Sequence, residues 1–216
     1  MSHRLPPTAS VAEDAGGGRL FAASSARNVG PIADLLAEVA PPAGRALEIA
    51  SGTGQHVVVL AGRLPGLDWQ PTEPDAERRA SIDAHAGDSG LGNIRPAQPL
   101  DACAPGWSAD WAGRDLIVLS NLLHLISDTE ALTLIEEATR ALAPGGTFVV
   151  YGPFKRDGEL TSEGDARFDA QLREADPEIG YKDDVAIRAA MTRAGLTVTR
   201  TAEMPANNLA LVATRT

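Results

Sequence analysis

The sequence predicts an α/β fold with a mainly parallel sheet. From about Val29 to the C-terminus, apolar runs alternate with amphipathic stretches, as strands and crossover helices do. The run DLIVLS at 115–120 is almost uniformly apolar, which is typical of a parallel strand buried on both faces. The last two apolar runs flank a Pro-Ala-Asn turn, which predicts an antiparallel hairpin at the end of the sheet.

The individual elements follow from periodicity and from capping residues. Asn28 is expected to cap a first helix that Pro31 starts, and Ser127 with Glu130 forms a capping box for a later one. We expect strands at 45–50, 67–72, 93–100, 115–120, 147–152, 196–204 and 208–215. After the first helix we expect helices at about 55–64, 75–86, 127–142 and 183–194. The prolines within 93–100 make that strand the least regular.

Two segments lack a periodic pattern. Residues 1–19 are rich in Pro, Ser and Gly, which predicts a disordered leader before a single domain at 20–216. Residues 153–182 combine charged and aromatic side chains, and an aperiodic stretch of that length is more often a functional lid than filler.

Composition limits the class of protein. Hydrophobic residues make up 44% of the 216-residue chain, enough for a real core, and the formal net charge is −10. That charge opposes nucleic-acid binding, which needs lysine and arginine against phosphates. No apolar run is long enough to span a membrane, no secretory signal is present, and Cys103 is the single cysteine. We therefore expect a cytoplasmic protein with a small-molecule substrate and no nucleic-acid or membrane partner.

The segment EIASGTGQH at 48–56 predicts a cofactor loop, because it follows a strand and opens a helix. Glycines there allow a ligand to approach the backbone, and the helix start offers unpaired N–H groups. Glu73 ends the second strand, where an acid can accept hydrogen bonds from ribose hydroxyls. Asp101 and Asn121 follow the next two strands and belong to the same edge of the sheet. A tight structural turn is the alternative for the loop.

A nicotinamide oxidoreductase is the main competing interpretation. Its glycine fingerprint needs a small third residue for helix packing, and this chain has Val57 there. The terminal hairpin also takes the place of a second nucleotide-binding half, so the dehydrogenase interpretation is disfavoured.

In its motif order, the chain resembles the seven-stranded, Rossmann-like methyltransferases that use S-adenosylmethionine. The methyltransferase-like 26 family and its bacterial relatives, whose substrate is unknown, are the more specific resemblance, over about residues 20–216. The segments that carry it are ARNVGPI (26–32), EIASGTGQH (48–56), WQPTEPD (69–75), YGPFKRDGELTSE (151–163), ARFDAQLR (166–173) and MPANNLALV (204–212). The resemblance implies S-adenosylmethionine as cofactor, and the residues expected to contact it are Arg27, Asn28, Glu48, Ala50, Ser51, Gly52, Gly54, Glu73, Asp101, Ala102 and Asn121.

The chain departs from that family at three places. HLISDT at 124–129 stands where the family has His-Ile-Ser-Pro-Trp, TSEGD at 161–165 replaces Thr-Ser-Glu-Ser-Asn, and Ile179-Gly180 replaces Trp-Gly. All three lie where a substrate pocket is expected, so the identity of the substrate is not carried over.

His124 is the candidate catalytic residue because it directly follows the fourth predicted strand. It is either a general base or substrate ligand, or a histidine whose ring is bonded to a backbone carbonyl. Arg27 precedes the first predicted helix and suits the methionine carboxylate, with a surface salt bridge as the alternative. His56 is expected to have a packing or capping role, and no spacing of His, Cys, Asp and Glu predicts a metal site.

The expected substrate pocket includes aromatic side chains and two amides. Asn207 and Asn208 fit two roles, as turn residues that tolerate unusual backbone angles or as amides that orient a substrate. The pocket candidates are Phe21, Tyr151, Phe154, Phe168, Asn207 and Asn208. The sequence thus predicts a small-molecule methyltransferase, with oxygen weakly favoured as the acceptor atom. The alternative is a protein that binds S-adenosylmethionine or S-adenosylhomocysteine without catalysis.

Overall fold

The strand-forming runs of the sequence assemble into one central sheet with helices on both faces. The computed structural model describes residues 5–9 and 11–216. The helices are α1 (Ala23–Val39), α2 (Gln55–Arg63), α3 (Ala76–Ser89), α4 (Asp128–Ala141), α5 (Glu163–Ala175) and α6 (Asp184–Arg193). The strands are β1 (Glu13–Gly16), β2 (Arg19–Phe21), β3 (Gly44–Ile49), β4 (Leu67–Pro71), β5 (Arg114–Ser120), β6 (Leu142–Lys155), β7 (Lys182–Asp183), β8 (Leu196–Glu203) and β9 (Asn208–Arg215).

The central sheet has seven strands, and its order places the carboxyl ends of the first parallel strands together. The main path is β4-β3-β5-β6-β9-β8, and the short β7 pairs with β6 beside it. β3 to β6 are parallel, whereas β9 is antiparallel to both β6 and β8. The predicted mainly parallel sheet with a C-terminal antiparallel hairpin is confirmed. The next two strands along the chain, β4 and β5, pair with β3 on opposite sides. A crevice for a ligand therefore opens at the carboxyl ends of β3 and β5.

Alternating side chains of the strands build two cores. On β5, Ile117 and Leu119 face one cluster, which includes α4 and α6 residues, while Leu116 and Val118 face the other, with α1, α2 and α3. Both faces of the strand are buried, as its unbroken apolar run predicted.

The predicted strand at 93–100 forms no continuous ladder. It runs parallel to β4 through two isolated bridges, Trp69 with Ile94 and Thr72 with Gln98. Pro96 and Pro99 lack N–H groups, so the pairing is interrupted where a strand would donate hydrogen bonds. The segment nevertheless reaches the same sheet edge, since the Glu73 amide donates to the Gln98 carbonyl at 3.0 Å.

The N-terminal part differs most from expectation. α1 begins at Ala23, so Asn28 does not cap it and Pro31 lies inside it; the cap residue is Ala22, whose amide donates to Gln55 Oε1 at 2.6 Å. Residues 13–19, expected in a disordered leader, are part of the β1–β2 hairpin, which continues to Phe21. Part of that leader, residues 1–4 and 10, lies outside the described residues.

Side chains of α3 hold this hairpin in place. Ser81 Oγ accepts the Leu20 amide at 2.8 Å, and His85 Nε2 lies 2.9 Å from the Leu20 carbonyl. His85 is half-buried at this contact. These contacts and the Arg19–Asp88 ion pair, at 2.8 Å, connect the β1–β2 hairpin to α3.

The expected aperiodic segment 153–182 contains a helix. Ser162 caps α5 by accepting the Asp165 amide at 3.1 Å, and β6 and β7 occupy the ends of the segment. Leu172 of α5 packs with Ile179 and Tyr181 in a small cluster of its own. Among the described helices, none combines the length and apolarity that crossing a membrane requires.

Candidate active site

A cavity of about 780 Å³ opens at the carboxyl ends of β3, β4 and β5, within the usual size range of small-molecule sites. The lining comes from distant parts of the chain: the N-terminal segment, the start of α1, the glycine loop, the loops after β4 and β5, α5 and the β8–β9 turn. A second concavity, of about 410 Å³, lies between α6 and β8, far along the chain from these loops. The larger cavity is therefore the candidate site.

The two glycines of the loop have different roles. At Gly52 (φ 60°) a Cβ would meet nothing closer than Arg78 Nη1, at 3.8 Å, so the space above it is open. At Gly54 (φ 93°) a Cβ would lie 2.6 Å from Ile82 Cα, against the backbone of α3. Gly54, which we expected to face the cofactor, instead allows α2 and α3 to pack closely, and it does not line the cavity.

The Glu73 carboxylate lies against the glycine loop. Its Oε2 accepts the Gly52 amide at 3.0 Å, and its Oε1 accepts the Asp75 amide at 3.3 Å. Burial raises its pKa, although the two amides and the nearby Arg78 guanidinium act in the opposite direction. These amides orient the carboxylate at the cavity wall and leave lone pairs available to a ligand.

Glu48 lies beneath the same loop and is 2% exposed. Its Oε2 has no hydrogen-bond partner, and burial, with a contribution from Glu73, raises its pKa to about 7. Glu48 does not line the cavity, and its contact with the cofactor stays a prediction.

The first turns of α1 form the opposite wall. Arg27 is exposed and lines the cavity, and it makes no ion pair with any described residue, which argues against the salt-bridge alternative. His56 Nε2 lies 3.2 Å from the Ser25 carbonyl and so joins α2 to α1. Burial lowers the pKa of His56, so its neutral ring donates to that carbonyl.

Three cavity residues other than glycine have a left-handed backbone: Ala50, Asn121 and Ala206 of the β8–β9 turn. Ala50 has φ 53° and Asn121 has φ 55°, and both follow strands that end at the cavity. Such conformations cost energy and are concentrated at functional sites. The Asn121 amide donates to the Tyr151 carbonyl at 2.8 Å, which fixes the turn after β5.

His124 lies in a 3₁₀ turn, Leu123–Leu125, and contacts the cavity with a buried ring. The ring centroids of Phe168 and Tyr181 lie 5.9 and 6.1 Å away in edge-to-face geometry. Burial, then the charge of Lys182, lowers the His124 pKa to about 4. Neither ring nitrogen is bonded to a described residue, so the alternative of a ring bonded to a carbonyl is not observed there.

Several expected site residues lie elsewhere. Tyr151 and Phe154 are core residues, 2% and 1% exposed, whereas Phe21 is 40% exposed on the surface. Ala102 packs in the core, and Asn207 (φ 60°) lies outside the cavity wall, with its amide 3.2 Å from Asp165 Oδ2. The expected residues that do line the cavity are Arg27, Asn28, Ala50, Ser51, Gly52, Glu73, Asp101, Asn121, His124, Phe168 and Asn208.

Other lining residues were missed from the sequence. Leu5, Thr8, Ala9 and Val11 come from the expected leader, whose composition gave no sign of a packed segment. Tyr181 belongs to the aromatic segment already expected to form a lid. The remaining cavity residues that were not expected include Ser24, Ser25, Arg78, Cys103, Ser120 and Leu125.

Solved structures share this fold. An O-methyltransferase family protein from Burkholderia thailandensis superposes with a TM-score of 0.74 at 21% identity, over 89% of this chain and 57% of that one. The mitomycin 7-O-methyltransferase MmcR gives 0.74 at 18% identity, over 89% and 54%. Human N-acetylserotonin methyltransferase, in complex with SAM, gives 0.70 at 17% identity, over 88% and 51%. This chain therefore spans little more than half the length of those proteins.

The family comparison covers nearly the whole domain. A single family model, described as "Protein of unknown function (DUF938)", matches residues 19–215. The match includes the glycine loop, Glu73, His124, α5 and the terminal hairpin. The chain therefore belongs to the DUF938 family.

Proposed function

We propose that this protein is an S-adenosylmethionine-dependent methyltransferase that acts on a small molecule, with oxygen favoured as the acceptor atom. One observation carries the proposal: the Glu73 carboxylate is bonded to the Gly52 amide at the wall of a cavity formed by the ends of parallel strands. An oriented acid beside a glycine loop suits the two hydroxyls of a ribose.

The cavity fits a nucleoside with a charged tail. The open space above Gly52 allows a ligand to approach the backbone, and the start of α2 offers N–H groups there. Arg27 is an exposed guanidinium suited to the carboxylate of the methionine part. Asp101, which follows the segment 93–100, and Asn121, which follows β5, supply further hydrogen-bonding groups at the cavity wall. When bound, the cofactor supplies an electrophilic methyl group on a sulfonium.

His124 would act on the acceptor. S-adenosylmethionine bound by Arg27, Gly52 and Glu73 would supply the methyl group, and an acceptor hydroxyl would have to lose its proton as it receives that group. A pKa of about 4 leaves the imidazole neutral at physiological pH, so a ring nitrogen is free to accept this proton. The base need not be strong, because a hydroxyl oxygen becomes far more acidic once a methyl group is bonded to it.

The comparisons support the class at the level of fold. The chain has the fold of O-methyltransferases, and the human relative was solved with SAM. The quoted segments also support a place among the bacterial relatives of the methyltransferase-like 26 group. A net charge of −10 favours a small molecule over nucleic acid as the acceptor.

Glu73→Gln tests the cofactor assignment. The variant removes the charge that strengthens hydrogen bonds to ribose hydroxyls, so the affinity for S-adenosylhomocysteine should fall roughly tenfold to hundredfold. Isothermal titration measures this change. Glu77→Gln is the control, because Glu77 is an exposed residue in the first turn of α3 and does not line the cavity. Equal affinities of the two variants would contradict the assignment.

Turnover is tested separately from binding. Consumption of S-adenosylmethionine is measured over a library of hydroxylated, amino and thiol metabolites with the full-length protein. Product formation with a hydroxylated acceptor supports the proposal. Tight cofactor binding without turnover over the whole library would favour the non-catalytic binding protein.

A further inference from the structure

Three successive residues, Gly180 to Lys182, contact the 3₁₀ turn that contains His124 or the residue after that turn. The Gly180 amide donates to the His124 carbonyl at 3.1 Å, and the Tyr181 ring lies 6.1 Å from the His124 ring. Lys182 Nζ then donates to the Ile126 carbonyl at 2.8 Å. Residues at the end of the predicted lid therefore contact both the backbone of this turn and the ring of His124.

Lys182 is an unusual residue for this position because it is buried. Its side chain is 6% exposed, and its backbone is fixed by β7, which pairs with Phe154 and Lys155 of β6. Its one ion pair among the described residues, Nζ to Asp128 Oδ1 at 2.9 Å, is with a carboxylate that is 88% exposed. Water screens such a carboxylate, so much of the ammonium charge acts on the interior.

The groups around the imidazole are aromatic, acidic and, in Lys182, cationic. Tyr181 and Phe168 present rings, and the Tyr181 hydroxyl donates to Asp165 Oδ1 at 3.2 Å. Asp169 of α5 accepts the Tyr181 amide at 2.6 Å. On the cavity side, Asp101 and Cys103 share the lining with His124. After burial itself, the positive charge of Lys182 lowers the His124 pKa.

We propose that Lys182 is a positioning residue for His124: its buried ammonium group holds the turn through the Ile126 carbonyl, two residues after His124, and adds a positive charge to the surroundings of the imidazole. The first action fixes where the ring nitrogens meet the cavity. The second keeps the ring unprotonated to a lower pH, so that a ring nitrogen remains available to accept a proton there. The catalytic use of this arrangement rests on the proposed function, whereas the arrangement itself does not.

The test is an NMR titration of the His124 ring, which needs no turnover. The ring Cε1–H resonance is assigned by its absence in His124→Gln. Lys182→Gln keeps a donor for the Ile126 carbonyl but removes the charge, and Lys182→Arg keeps both. We expect the titration midpoint of Lys182→Gln to rise by roughly one pH unit, with the Arg variant unchanged. Equal midpoints in the wild type and Lys182→Gln would overturn the role of the charge.

A second variant protects the test against misfolding. Lys182→Met replaces the buried ion by an apolar chain of similar length, which proteins often tolerate, and it should show the same rise in midpoint. Failure of both uncharged variants to fold, with Lys182→Arg folded, would overturn the proposal in favour of a purely structural lysine.

Activity supplies an independent readout once an acceptor is known. As the pH is lowered, kcat of Lys182→Gln should begin to fall at a higher pH than kcat of the wild type. The midpoints of the two kcat profiles should differ by the same amount as the two NMR midpoints. The affinity for S-adenosylhomocysteine at pH 8 should stay within twofold, because Lys182 does not line the cavity. A loss of cofactor affinity with an unmoved His124 midpoint would argue against positioning of the base. If no acceptor turns over, the proposed function fails while the titration still decides the positioning claim.

Discussion

Two carboxyl groups meet the glycine loop in different environments. Glu73 is held by two backbone amides at the cavity wall, whereas Glu48 is enclosed beneath the loop with an oxygen that no group satisfies. Hydrogen bonds from amides favour the ionised form, and burial without them favours the neutral one. Glu73 is thereby suited to accept hydrogen bonds from a ligand, while Glu48 is close to half protonated at pH 7.

His124 carries the residue-scale prediction. If it takes the acceptor's proton, His124→Ala should cut kcat roughly 10²–10⁴-fold, with the affinity for S-adenosylhomocysteine nearly unchanged. Burial and the charge of Lys182 lower the His124 pKa from an ordinary 6.5 to about 4. Since the neutral ring is the active form, the wild-type rate should be flat above about pH 6 and fall as the pH decreases toward 4.

Steady-state kinetics from pH 4.5 to 9 check this expectation. His85→Gln is the control, because His85 of α3 contacts Leu20 in β2 and lies outside the cavity wall. Near-normal turnover of His124→Ala would leave the reaction to proximity and orientation alone.

At the scale of elements, the amphipathic segments were predictable and the polar ones were not. β5 and α4 carry strong apolar patterns, and the Ser127–Glu130 capping box predicted from the sequence is present. α5 escaped prediction because only Asp169 and Leu172 of its 13 residues are buried, so it shows no apolar stripe. The β1–β2 hairpin is built from a glycine-rich segment that contacts with Ser81, His85 and Asp88 of α3 hold in place.

α5 is also the element on which the lid hypothesis depends. Asp165, near its start, accepts hydrogen bonds from Thr161, Ser162, Tyr181 and Asn207, which join the helix to both the His124 region and the β8–β9 turn. Asn207→Gly removes one of these bonds and suits the positive φ of 60° at that position. Amide exchange across 163–175 should therefore be faster in the variant, and it should slow in the wild type when S-adenosylhomocysteine and an acceptor are bound.

Hydrogen exchange by mass spectrometry measures both changes, with α4 as the internal reference. Unchanged exchange in α5 on ligand binding would count against a lid. Unchanged exchange in Asn207→Gly would show that the Asn207–Asp165 bond does not restrain the helix.

For the whole molecule, the site depends on packing that joins distant parts of the chain. Thr8 Oγ1 bonds to Gln171 of α5 at 3.1 Å, so the N-terminal segment and the lid meet over the ends of the central strands. A single-sequence pattern shows what each segment prefers locally, but it does not show which segments meet across the cavity. The sheet-edge residues Glu73, Asp101 and Asn121 were predictable because topology alone brings strand ends together. Leu5 and Ala9 were not, because their placement follows from contacts made only in the folded chain.

Because Glu48 is buried, the free energy of unfolding should depend on pH. Its pKa rises from an ordinary 4.5 to about 7 on folding, so between these values the folded state binds more protons than the unfolded state. The contribution of Glu48 to stability therefore decreases as the pH rises through this window, and the full cost above pH 7 is roughly 3 kcal/mol. His124 acts in the opposite sense from pH 4 to 6.5, because its pKa is lowered on folding.

Glu48→Gln removes the pH dependence of stability due to Glu48 and keeps the one due to His124. The difference in stability between the variant and the wild type therefore reports Glu48 alone. At pH 8 the variant should unfold at a higher denaturant concentration than the wild type, and its free energy of unfolding should be larger by up to roughly 3 kcal/mol. At pH 4.5 the two proteins should unfold at almost the same concentration. Urea titrations at both pH values, without cofactor, measure the difference. A stabilisation of equal size at both pH values would mean that the side-chain amide packs better for reasons unrelated to charge. No stabilisation at pH 8 would mean that the buried carboxylate finds water or a partner that lowers its cost.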